Sequence, residues 1–409
     1  ISFTCKRANY TLKSILSEDD ALCTVQIPTK GLQKFMNINQ KFIEQYLQKL
    51  TIPDFEMNAG MFLLSFNDLY LKNIVMPQTK LRLNDGQAQI EIEPIALEFV
   101  FEFQLQQQAY PYISDKGSGL IYFEFQGGIE VKSFFDAECP FHVQIKSLAS
   151  TFEINELKLQ LTGAFNFLYD AFLGLFTNII KELLNKNINK LIVQQAIDML
   201  NNVLIGSPLL SPSDSPESQY FSDNRYIDVI VQTDFLIVPM TCQVQVFQNQ
   251  QFNKWLDTHK IERNKIFSNF EMQYFIQKDV FTTSLQGYKQ FCDMRFANVE
   301  IQIDSFVRTG LVVMARSQDF NATLLMTPKL MIKYLHPNQN DTRFQLRFQK
   351  VLNCVGQCSN IQYLGEDIEQ KQKFSVIGIN TSNSINSDDC VEIYVNENYY
   401  HVGCTLTND

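Results

Sequence analysis

Four histidines, His142, His259, His336 and His401, and nine cysteines are the side chains best suited to acid–base, nucleophilic or metal chemistry in this 409-residue chain. Their spacing supports none of it. No HExxH, GxSxG, GxGxxG or P-loop pattern occurs. Ser118 stands between Gly117 and Gly119 without the rest of a nucleophile elbow and reads as part of a loop. Cys354 and Cys358 have a spacing that a metal accepts, but no second Cys/His pair stands near them. A local disulfide, or two separate partners, is the better reading. The residues therefore predict no enzyme, no metal site and no catalytic cofactor.

The cysteines are Cys5, Cys23, Cys139, Cys242, Cys292, Cys354, Cys358, Cys390 and Cys404. An odd count leaves at least one without an intrachain bond. Cys5–Cys23 and Cys390–Cys404 are the expected disulfides, each closing a short loop. Glycosylation sequons stand at Asn9, Asn321, Asn340 and Asn380. With a chain that opens on Ile1, these features predict a processed glycoprotein that is secreted, on the cell surface or in an endomembrane lumen.

The net charge is −10. Residues 1–206 hold 17 basic and 22 acidic side chains, the same balance as the remainder. Without a basic cluster to neutralise phosphates, nucleic acid is excluded as a partner. No strong attraction to an anionic membrane surface follows either. The chain is 45% hydrophobic and carries 34 Phe, ample material for apolar interiors. No run of 18 uncharged apolar residues predicts a transmembrane helix.

Hydrophobic periodicity then sets the elements that position these residues. Over 31–50 the apolar residues recur at helical spacing, with Leu32, Phe35, Met36, Ile43, Tyr46, Leu47 and Leu50 on one stripe. Pro53 ends that helix. From 60 to 162 the period is two, most clearly in Leu97, Phe99, Phe101, Phe103 and Leu105, as in antiparallel strands with one wet face. Residues 165–204 return to helical period through Leu168, Phe172, Leu175 and Phe176. The Pro- and Ser-rich 206–224 reads as a linker. Strands follow it, with a helix expected around 266–285 and further strands at 299–307, 309–316, 322–334 and 343–352. The tail from 355 reads as polar and turn-rich. The domains are therefore 1–24, an extension; 25–205, a barrel-like domain; 206–224, the linker; and 225–409, a second strand-rich domain.

This order of helix, long strands, long helix, Pro-rich linker and strand-rich half resembles the bactericidal/permeability-increasing and lipopolysaccharide-binding protein family. Lys30-Gly31-Leu32 resembles that family's first helix start, and Leu50-Thr51-Ile52-Pro53-Asp54-Phe55 its helix-to-strand junction. The resemblance is closer over 25–205 than over 220–409. It implies an α+β fold: an elongated two-domain boomerang, each domain a curved antiparallel sheet wrapped around a long amphipathic helix, the second domain diverged. It also implies an acyl chain, from a bound phospholipid or fatty acid, in a groove lined by Leu32, Phe35, Met36, Ile43, Phe99, Phe101, Phe103, Leu168, Phe172 and Phe176.

Two departures stand out. The family ties a strand to the long helix by a disulfide, yet 165–204 holds no Cys to meet Cys139. The loop Gln106–Gly117 has one Lys and one Asp where lipopolysaccharide-binding members carry cationic clusters. The expected function is lipid binding, extending to lipid transfer, with lipid as partner and a membrane surface or other protein subunits beside it. The alternative is a structural or interaction subunit of a larger assembly that keeps the fold.

Overall fold

Strict alternation makes the long strands. Leu97, Phe99, Phe101, Phe103 and Leu105 are buried in the strand Gln87–Gln107, while Glu102 and Gln106 between them are exposed, because successive side chains of a strand point to opposite faces. The computed structural model describes residues 16–38, 40, 44, 54–77, 79–136, 139, 141–164, 174, 177–178, 180–182, 193–206, 209–212, 220–248, 251–252, 269–289, 292–336, 339–375, 385–396 and 399–406. The chain divides into two compact units. One comprises Met36–Lys132 and Ile145–Leu200, the other Ile1–Phe35, Ser133–Gln144 and Asn201–Asp409. Of the described residues, 16–35, 133–136, 139 and 141–144 thus group with the C-terminal half rather than with 25–205.

The first unit is built on a six-stranded sheet. Its order is Phe55–Ala59, Phe62–Val75, Gln87–Gln107, Ser114–Phe135 and Val143–Gly163, and Thr79–Asn84 also pairs with Gln87–Gln107. The register slips between Asn67 and Tyr70, beside Asp68 with φ 51°, and again between Ile92 and Ile95. Such bulges bend a sheet and raise its twist, and here they curl it.

Among the described residues the second unit holds three sheets. Its six-stranded sheet runs Ile230–Gln232, Phe235–Met240, Cys23–Pro28, Met272–Gln277, Tyr399–Leu406 and Ile385–Asn396. The strand 23–28 is antiparallel to both neighbours, Cys23 facing Met240 on one side and Ile276 on the other. A five-stranded sheet follows from Glu300 to Ser375, and a four-stranded one joins 210–212, 220–223, 244–248 and 251–252. The helix Lys278–Tyr288 buries Val280, Phe281, Leu285 and Tyr288, with Phe281 edge-on to Phe306 at 5.9 Å and to Tyr400 at 6.1 Å. Gly31, in the first turn of the helix Thr29–Ile38, lies directly on the Glu271 backbone carbonyl, where any Cβ would collide with the oxygen. That close approach is the physical reason for glycine in Lys30-Gly31-Leu32, and the Lys34–Glu271 ion pair at 3.0 Å reinforces it.

Several expectations are corrected. Residues 272–277 form a strand, not part of a helix over 266–285, and the helix begins at Lys278. Phe270 and Tyr274 fit a helical stripe, but both faces of 272–277 are buried in the central sheet, so no polar face marks its period of two. The 206–224 segment contains the paired strands Leu210–Pro212 and Tyr220–Asp223. The tail carries a helix, Ile361–Lys371, with Ile361, Leu364 and Ile368 buried. Cys390–Cys404 and Cys354–Cys358 are disulfides, whereas Cys23 is a buried free thiol and not bonded to Cys5. Cys139, a buried thiol, lies between Ser114–Phe135 and Val143–Gly163 rather than in a strand. Cys5, Asn9, Ile43, Leu168, Phe172, Phe176 and Asn380 lie outside the described residues. Asn321 is exposed in the strand Phe320–His336, and Asn340 lies in the strand Gln339–Gly356.

Candidate functional site

Phe99, Phe101 and Phe103 all point to one face of the first unit's sheet and are almost fully buried there. Neighbouring strands extend the aromatic surface in two directions. Phe103 lies 6.4 Å from Phe101, Phe101 lies 5.1 Å from Phe66, and Phe66 stacks on Phe55 at 4.6 Å. On the other side Phe99 stacks parallel on Phe123 at 5.6 Å, followed by Phe125 at 5.9 Å and Phe152 at 5.8 Å. Leu64, Ile121, Ile154, Leu159 and Ile180 fill the spaces between the rings. The result is one continuous apolar face, broad enough to serve as a core or as the wall of a groove.

Glycines make room for it. Gly117 faces Phe103 and Gly119 faces Phe101 across the strand pair. The rings reach over these glycines: a Cβ at Gly119 would enter the Phe101 ring, and one at Gly117 would meet the Thr162 carbonyl oxygen and then the Phe103 ring. The Gly117-Ser118-Gly119 sequence, expected in a loop, is thus strand. Its glycines serve packing, as bare glycine in a sheet leaves backbone for a neighbouring aromatic to cover.

The opposite face is wet and charged. Lys72–Glu98 at 3.2 Å, Arg82–Glu91 at 3.2 Å and Lys80–Glu93 at 2.6 Å pair across strands there. Hydrogen bonding to Glu93, and its charge, raise the Lys80 pKa. Such exposed pairs add little stability but keep this face in water.

Of the expected lining, the structure brings together Phe99, Phe101 and Phe103. Leu32, Phe35 and Met36 are half-buried on the helix Thr29–Ile38 and are not members of this cluster. A smaller cluster, Ile129, Val193 and Ile197, lies beside Ile92 and Phe152 in the same unit. At the loop 108–113, Tyr110 and Tyr112 are 86% and 70% exposed and meet edge-on at 6.3 Å.

The second unit holds buried polar groups, of which the sequence singles out only His142 and His401. Asp223 and Arg225 form a buried pair, with Arg225 Nη2 donating to Asp223 Oδ2 at 2.9 Å and Nε to Oδ1 at 3.0 Å. The Arg225 guanidinium lies over the Phe141 ring at 4.8 Å. Thr24, Gln26, Gln273 and His401 share one face of the central sheet by register. His401 stacks on Phe275 at 4.3 Å and meets Gln273 Oε1 at 3.1 Å through Nε2, and burial lowers its pKa to about 4. Burial likewise raises the Tyr226 pKa to about 12. These groups are spread along strands in structural contacts. Among the described residues no three His, Cys, Asp or Glu side chains gather as a metal site. No described helix is long and apolar enough to cross a membrane.

The sequence matches no family model and no curated protein. Solved structures do resemble it. Takeout 1 of Epiphyas postvittana, 16% identical over 44% of this chain and 91% of that one, has a TM-score of 0.29. P47 of Clostridium botulinum E1, 9% identical over 95% and 99%, has a TM-score of 0.24. Neither superposes well enough to carry an argument. Lipopolysaccharide binding protein superposes over 95% of this chain and 99% of its own, at a TM-score of 0.58 and 11% identity. At that identity the likeness speaks for architecture alone: over 95% of its length this chain has a fold like that of lipopolysaccharide binding protein.

Proposed function

We propose that this chain is a non-catalytic lipid-binding protein that holds acyl chains against the apolar face of its first unit. The observation that carries the reading is the continuous aromatic face around Phe99, Phe101 and Phe103, set in a fold shared along its length with lipopolysaccharide binding protein. The remainder of the proposed lining is the one expected from the sequence, Ile43 on one helical stripe and Leu168, Phe172 and Phe176 on the other. An acyl chain of about 16 carbons gains roughly 0.8 kcal/mol per buried methylene, about 10 kcal/mol before ordering costs. That suffices for a lipid to survive purification.

The headgroup stays at the mouth. A loop with one Lys and one Asp over Gln106–Gly117 offers no cationic cluster for phosphate, so headgroup selectivity is weak and lipopolysaccharide is not the ligand. Two disulfides are compatible with an oxidising compartment, and we place the protein outside the cell or in an endomembrane lumen.

Native mass spectrometry with organic extraction tests this. One phospholipid or fatty acid per chain, exchanging with labelled lipid in neutral vesicles, is the expected result and makes transfer the activity. Absence of any lipid overturns the proposal. A lipid that never exchanges overturns transfer and points to a scaffold subunit.

A further inference from the structure

Two thiols far apart in sequence meet where the strand Cys23–Pro28 enters the central sheet. Cys23 opens that strand opposite Met240. Two residues on, the partner strand has ended and the chain turns at Cys242, whose φ of 48° is unusual for a side-chain-bearing residue. The Leu22 N–H donates to the Met240 carbonyl at 3.1 Å, closing the corner. The Cys242 thiol lies beside that of Cys23 at this corner, and each residue is 1% exposed. Neither takes part in the proposed lipid face, and no described metal cluster claims them.

We infer that Cys23 and Cys242 form a third disulfide in the mature protein, stapling the strand 23–28 to the corner at 240–242. The inference rests on the oxidising compartment proposed above. The co-reactant is a small-molecule or protein disulfide. The thiolate of one cysteine attacks a sulfur of that disulfide and expels one thiolate, leaving a mixed disulfide. The second cysteine, deprotonated, attacks the cysteine sulfur of the mixed disulfide and expels the other thiolate. The two cysteines lose two electrons and two protons, and the co-reactant becomes two thiols. Burial raises the Cys242 pKa strongly, so the thiolate is scarce once the sheet has closed. Exchange therefore takes place while the corner is still open, and closure then shields the bond from reductants.

The test is peptide mapping of the full chain, secreted from cells, alkylated under denaturing non-reducing conditions and digested. The expected product is a cross-linked pair of peptides carrying Cys23 and Cys242, alongside Cys354–Cys358 and Cys390–Cys404. Alkylated Cys23 and Cys242 with those two bonds intact overturns the inference while leaving the compartment in place. All cysteines alkylated overturns both. A Cys5–Cys23 bond also overturns it. Substitution supplies a second readout: Cys23→Ser and Cys242→Ser each lower the thermal midpoint equally, and the double variant lowers it no further. Additive losses contradict a shared bond.

Discussion

The Phe101 ring covers Gly119, its partner across the strand pair, and occupies the space a side chain at that position would fill. Glycine is there because the ring needs bare backbone beneath it. Gly119→Ala is therefore expected to push Phe101 out of place and cost about 1–3 kcal/mol, the usual range for overpacking. Gly128, with no atom nearer than 3.6 Å to an added Cβ, gives the contrast. Gly128→Ala should leave stability unchanged or raise it by about 0.5 kcal/mol. Urea denaturation of the two variants checks both expectations.

The apolar face itself is tested by charge. Phe101→Glu together with Phe172→Glu should reduce co-purifying lipid below about a tenth of the wild-type amount, because a buried carboxylate cannot be solvated by methylenes. Circular dichroism establishes that the variant is folded. Where the double variant fails to fold, Phe172→Glu alone takes its place. Wild-type lipid content in a folded variant moves the groove elsewhere.

His401 predicts an acid sensitivity. Its pKa is about 4 in the folded chain against an ordinary 6.5, so below pH 6.5 the unfolded chain binds a proton that the folded chain refuses. The contribution is complete above pH 6.5 and is lost as the pH falls toward 4, reaching about 2 kcal/mol near pH 4.5. His401→Gln should flatten that part of the stability–pH profile between pH 7 and 4.5.

The Asp223–Arg225 pair predicts an asymmetry. Asp223→Ala leaves the Arg225 guanidinium buried without its carboxylate and should cost about 3–5 kcal/mol. Replacing both residues, Asp223→Leu with Arg225→Met, should cost less than the single change. Chemical denaturation of the two variants gives the comparison, and equal losses would contradict it.

What could be read from sequence followed the local pattern. Phe99, Phe101 and Phe103 announced their strand because one face is apolar and the other wet. Residues 23–28 did not, because all six are buried and no alternation remains to be seen. The strand 272–277 was hidden for the same reason, and the four-residue spacing of Phe270 and Tyr274 made it look helical. The helix Ile361–Lys371 escaped because only Ile361, Leu364 and Ile368 carry its apolar stripe amid Gln and Glu. The pairing of Gly117 and Gly119 with phenylalanines depends on register, which single-strand patterns do not specify.

The position of the strand 23–28 has a consequence for synthesis on the ribosome. It is made early, yet its neighbours, 235–240 and 272–277, emerge much later, and the sheet is completed only by 399–406. Until 235–240 and 272–277 emerge, a segment destined for burial along its whole length waits with its edges unsatisfied, open to pairing with any strand nearby. A nascent chain that stops short of residue 235 leaves that segment without either of its partners, and one that stops between 240 and 272 leaves one edge bare.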